Sequence, residues 1–195
     1  MNFPEVKLLT LIKIMMINQL ALAGITGISR RVHKRPLVGA SMLGVGLGIV
    51  CALTALLLIG AMILLLPKEL WGKSAAASTL NGLGSTGLFF LGVVFVPFLE
   101  TFMGQVLPIE LARRFRANKL SCILLSAVIF GGGHYLNGGL AHAISTFCIA
   151  LIFAGGYMAV RLEGFWPAFL VAYIAHATSN ALLLFVFDPL FPGLQ

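Results

Sequence analysis

Glu100, His134 and His176 are ionisable side chains placed inside long apolar stretches. An isolated charge there costs about 2.5 to 3.5 kcal/mol even on the most lenient insertion scale. A carboxylate shielded from bulk water can act as a general base, taking a proton from a water molecule as that water attacks a peptide carbonyl. The attack creates an oxyanion, and His134, His176 and the amide of Asn180 are donors of the type such an oxyanion needs. This scheme requires no cofactor. Glu100, His134 and His176 are also acceptable zinc ligands that would leave one position open for water. The metal version ranks second, because the ligands would come from three separate segments without an HExxH pairing and no carboxylate lies nearby in sequence to orient a ligating histidine.

Spacing places further groups beside these three. Asn180 follows His176 by four residues, so the two share a helix face, and Phe130 precedes His134 by four, setting an aromatic ring beside that imidazole. Thr101 and Gln105 are also four apart and are expected to meet as a hydrogen-bonding pair. Gly131, Gly132 and Gly133 remove side chains just before His134, which permits close approach of another helix or of an extended substrate backbone.

Depth can be compared by counting to the nearest basic residue. Glu100 lies 13 positions before Arg113, or ~20 Å; His134 lies 15 after Lys119 and His176 lies 15 after Arg161, or ~22 Å each. Taken singly, either histidine is as readily a bridge to a neighbouring helix, and Glu100 a structural or proton-relay group. Three unrelated polar groups have no reason to share a level.

The elements that must position them are membrane helices. The chain is 59% hydrophobic and only 10% charged, with a mean hydropathy of +1.03. A soluble domain would carry about 25% charged residues. Leu37 to Leu66 has no charge at all, and apolar segments follow at Thr79 to Leu107, Leu120 to Leu136, Leu140 to Val160 and Phe165 to Phe187. Such lengths predict an all-α, polytopic transmembrane helical bundle rather than a barrel of short alternating strands. The segment from Leu8 to Ile28 is interrupted by Lys13, Asn18 and Gln19, so it either lies in the interface or crosses, for five or six spans. A cleavable signal ending at Ala21 to Ala23 is set aside, since cleavage would leave a basic cluster at a translocated N-terminus. The domain reading is an N-terminal segment, 1–36, and one bundle, 37–195.

Basic residues gather at the ends of the apolar stretches, in Arg30 to Arg35, in Arg113 to Lys119 and at Arg161. The positive-inside rule puts these in the cytoplasm, and the loop of Lys68 and Lys73 with the C-terminus outside. The net charge of +7 is therefore explained by topology, and no nucleic-acid-binding stripe with interleaved aromatics is present. Arg113, Arg114, Arg116 and Lys119 read most simply as a topology signal that meets anionic lipid heads. Glu110 is within helical reach of Arg113 and Arg114 and is left off the catalytic set. His142, just past the Gly138-Gly139 turn, reads as a local hydrogen bonder near the outer face, and His33 as a solvated loop residue. Cys51, Cys122 and Cys148 lie in apolar runs and suggest no disulfide framework.

Glu100-Thr101-(x)3-Gln105, Phe130-(x)3-His134 and His176-(x)3-Asn180, in this order on successive spans, resemble the three motifs of the CAAX protease and bacteriocin-processing family of intramembrane endopeptidases, also called the Abi or CPBP family. The resemblance covers roughly Gly87 to Phe187. It implies glutamate-dependent peptide hydrolysis in a hydrated cavity within the bilayer, on prenylated C-terminal tails or membrane-bound peptides. Glu100, His134, His176 and Asn180 would be catalytic, with Thr101, Gln105 and Phe130 supporting them. The implied setting is a multi-pass protein of a prokaryotic cytoplasmic membrane. The family's first motif usually reads Glu-Glu-(x)3-Arg, so here a potential buried ion pair is replaced by two neutral residues, and losing both charges together is far cheaper than stranding one. Two other functions compete. One is a non-catalytic scaffold, immunity or regulatory protein on the same fold. The other is a proton-coupled transporter, against which stands the lack of a repeated half.

Overall fold

The computed structural model describes residues 31–71 and 82–190, and every described element is helical. The N-terminal segment Leu8 to Ile28 lies outside the described residues.

Helix α1 (Pro36–Leu65) begins with a proline, whose fixed φ suits the first turn and whose missing N–H is not needed there. It stops at Leu66, which is extended at φ −109° and ψ 142° because Pro67 follows. Its inward face is made of small residues, among them Ala40, Gly44, Gly48 and Ala52. A Cβ on Gly48 would meet the carbonyl of Ala175 and the side chain of Thr178, so this face lets α1 lie directly against helix α4 (Phe165–Leu190).

Helix α2 (Ser85–Arg114) carries Glu100 and is not uniform. It widens into π-helical turns over Phe89–Phe95 and Phe102–Val106, the first just before Pro97. After a short turn, Asn118 accepts a 2.9 Å hydrogen bond from the Ser121 amide and caps helix α3 (Lys119–Val160).

Within α3 the chain reverses. Gly139 has φ 77° and ψ −172°, a conformation that glycine adopts without the steric cost of a side chain. Residues 119–138 and 140–160 form two limbs folded against each other: a Cβ on Gly131 would lie 2.8 Å from Cβ of Phe147, sixteen residues on. Hydropathy treats these limbs as separate spans. Taken as continuous elements, four described helices are long and apolar enough to cross a membrane, against five or six expected. The difference comes from the hairpin being one element and from the N-terminal segment lying outside the described residues. Each limb is about 30 Å long, the thickness of a hydrocarbon core. The helices make this an integral membrane protein.

A core of Cys51, Val106, Ile109, Phe153, Tyr157 and Ala172 joins all four elements. Phe130 and Ala127 form a smaller cluster on the first limb of α3, under the polar residues considered next.

Candidate active site

Glu100 projects from α2 between the hairpin and α4. Its Oε2 lies 3.9 Å from Nε2 of His134 and 3.6 Å from Nε2 of His176. Both separations are too long for direct hydrogen bonds, and contacts of this length between polar atoms are commonly bridged by water. Three residues distant in sequence thus turn their polar atoms to one point.

Each imidazole is oriented from behind. His134 Nδ1 is 2.8 Å from the Phe130 carbonyl, which can only accept, so Nδ1 carries the proton. In the neutral ring, the Nε2 directed at Glu100 is therefore an acceptor and not the oxyanion donor expected from the sequence. The His134 ring also stacks on Phe130 at 4.5 Å between centroids, with 27° between planes. Phe130 fits because residue 104 is glycine: a Cβ there would lie 2.9 Å from the Phe130 ring. Buried His176 stacks on Phe153 at 5.1 Å, and its Nδ1 is 3.1 Å from the hydroxyl of buried Thr101.

That last contact corrects an expectation. Thr101 and Gln105 do not pair with each other. Thr101 turns to His176, while Gln105 Oε1 accepts a 3.3 Å hydrogen bond from Ser126 on α3. The reason is the widened turn over Phe102–Val106, which alters the register that would otherwise stack residues four apart. Gln105 is fully buried, and its Nε2 has no partner among the described residues.

Asn180 is one turn beyond His176, and its amide donates to the Gly92 carbonyl at 2.9 Å. Pro97 explains why that carbonyl is available. In this π-helical register the Val96 amide bonds to Leu91, five residues back, so the next amide would serve Gly92, and proline has none. The Tyr173 hydroxyl donates to Val94 in the same stretch, at 3.3 Å. The structure therefore brings Glu100, His134 and His176 to one point and engages Asn180 on the backbone of α2.

Two arrangements were not foreseen. His142 packs beside His134, with 5.1 Å between ring centroids, because the Gly139 reversal folds positions on either side of it together. The Gly138-Gly139 pair was the available signal. Glu110 is held by more than Arg113: the Tyr157 hydroxyl and Arg161 Nε each donate to Oε1 at 2.7 Å, and Arg161 donates to Oε2 at 3.0 Å. This clasp joins the end of α2 to the last turn of α3, just before α4 begins. It thereby ties α2, which bears Glu100, to α3, which bears His134.

Among the described residues, no group of three or more His, Cys, Asp or Glu side chains has an arrangement that could hold a metal ion. The alternative ligand set of Glu100, His134 and His176 gains no support from this geometry.

Residues 82–182 match the family model described as type II CAAX prenyl endopeptidase Rce1-like. Comparison with curated proteins and with solved structures finds no match.

Proposed function

The chain belongs to the type II CAAX prenyl endopeptidase Rce1-like family, a membership that supports a protease role, and from that premise we propose that it is an intramembrane endopeptidase using water activated by Glu100. Its substrates in this reading are prenylated protein tails or other membrane-associated peptides. The observation that carries the proposal is the approach of two imidazole nitrogens to one carboxylate oxygen, at 3.6 and 3.9 Å.

The proposed reaction divides the work as follows. A water bound between Glu100 and the imidazoles attacks the scissile carbonyl carbon, and the Glu100 carboxylate takes one of its protons as the new C–O bond forms. The carbonyl π electrons move onto oxygen. His176, with Nδ1 accepting from the Thr101 hydroxyl, holds its own proton on Nε2 and donates it in a hydrogen bond to that oxyanion. His134, whose Nδ1 proton is engaged by Phe130, accepts from the attacking water through Nε2 and aims it. Asn180 keeps its amide proton and donates its second N–H in a hydrogen bond to the same oxyanion, the first N–H being engaged by the Gly92 carbonyl. Collapse breaks the C–N bond, and Glu100 returns its proton to the leaving nitrogen.

We place the protein in a prokaryotic cytoplasmic membrane with the basic ends of α2 and α3 on the cytoplasmic side, following the positive-inside rule. The motif-bearing region, 87–187, acts in this reading as part of one bundle, 37–195.

The test is mass detection of products from a prenylated peptide and its unprenylated counterpart, incubated with vesicle-embedded protein and with Glu100→Gln. Cleavage by the native chain alone supports the reading, and cleavage by both removes Glu100 from the chemistry. A scaffold or immunity protein, the competing function, would cleave neither.

A further inference from the structure

At the junction of α2 and α3, Arg113, Ala117, Lys119, Met158, Arg161 and Leu162 line a cavity of about 200 Å³. Its charge is unbalanced. Three cations face it, and the carboxylate of Glu110 is shared by two of them. Arg113 uses one terminal nitrogen on Glu110, and Arg161 uses Nε and one terminal nitrogen. Each guanidinium therefore keeps donors that Glu110 does not occupy. Lys119, exposed at the first turn of α3, has no hydrogen bond or ion pair to its ammonium among the described residues.

The rest of the lining is apolar. Met158 and Ala117 form part of the wall, and Leu162 is 85% exposed at the rim. A free inorganic ion would use the cations and gain nothing from these side chains. An amphiphile with a phosphate head and acyl chains uses both, and basic pockets between membrane helices on the cytoplasmic side take such headgroups.

We propose that this cavity binds the phosphate-bearing headgroup of an anionic phospholipid, with Arg113, Lys119 and Arg161 donating to its oxygens and Met158 and Leu162 beside its first apolar carbons. Because Arg113 and Arg161 also hold Glu110, a bound lipid braces the clasp between α2 and α3 and stabilises the folded bundle by mass action. The proposal does not depend on the peptidase reading.

The experiment uses the full chain in neutral detergent, titrated with phosphatidylglycerol or phosphatidylcholine, with retained lipid read by native mass spectrometry and stability by the unfolding midpoint. Phosphatidylglycerol is expected to be retained and to raise the midpoint, and phosphatidylcholine not. Lys119→Gln should weaken phosphatidylglycerol binding about five-fold, the worth of one basic residue near an anionic surface. Arg114→Gln, which removes an exposed cation that does not line the cavity, should leave it unchanged. Equal binding of the two lipids overturns the site. So does equal weakening by both variants, which would indicate a diffuse surface field, and so does an equal midpoint rise with inorganic phosphate alone, which would indicate an ion site.

Discussion

The hydroxyl of Thr101 sits 3.1 Å from Nδ1 of His176, although 75 residues separate them. This contact holds the buried imidazole from behind and leaves Nε2 as the ring nitrogen turned toward Glu100. The replacement of a charged pair by Thr101 and Gln105 is therefore a rearrangement in which each residue takes its own partner on another helix.

Thr101→Val keeps the side-chain shape and leaves His176 Nδ1 buried without a partner, a loss worth about 1 to 3 kcal/mol. In this account kcat falls ten-fold or more, KM changes little, and Thr101→Ser restores the rate. Steady-state kinetics on a single peptide resolves the two parameters. An unchanged kcat in the valine variant would show that His176 does not depend on this hydroxyl.

Asn180→Leu removes the donor that serves the Gly92 carbonyl, which Pro97 leaves without an amide. A buried acceptor without a partner lowers stability by about 1 to 3 kcal/mol. The unfolding midpoint in detergent should drop together with activity. A variant that loses cleavage at full stability would assign Asn180 to chemistry alone.

The glycines before His134 separate by position. Gly131→Ala places a methyl group 2.8 Å from Cβ of Phe147 and 3.0 Å from the Ala143 carbonyl, an overpacking that costs about 1 to 3 kcal/mol. Gly132→Ala and Gly133→Ala meet nothing within 4 Å, and the gain in helix propensity offsets any loss. Unfolding midpoints of the three variants should fall for the first alone.

At the end of α3, Tyr157→Phe deletes one of the donors on Glu110. Hydrogen bonds to charged groups contribute about 1.5 to 3 kcal/mol, and the partial exposure of Glu110 puts this one at the lower end. The lost stability should be largest in low salt and fade as ionic strength rises, since the group it serves belongs to an ion-pair cluster. A salt-independent loss would point to packing of the ring instead.

Motif order was readable because each motif places its residues four apart on an apolar helix, where any polar pair is conspicuous. The long uncharged stretches announced the helical bundle, the three ordered motifs carried the family resemblance, and the match over 82–182 agrees with the latter. Contacts made across helices were not readable. Nothing local to Thr101 indicates His176, and nothing local to Gln105 indicates Ser126. Pairing Thr101 with Gln105 failed because a regular helix was assumed where the backbone widens. His142 reads from sequence as a local hydrogen bonder, yet the Gly138-Gly139 turn permits the reversal that brings it beside His134. The role of Asn180 on Gly92 was latent in Pro97, whose missing amide always leaves a carbonyl to be satisfied by something else.

The central claim is that Glu100 takes the proton of the attacking water, and its most direct test is kcat/KM of Glu100→Gln against the native chain across a pH series. Because a general base works only when deprotonated, the native rate should climb with pH along a limb that the variant lacks. The variant should be slower by about 10² to 10⁴ with an unchanged unfolding midpoint. A glutamine variant that cleaves as fast, with the same dependence on pH, contradicts the account.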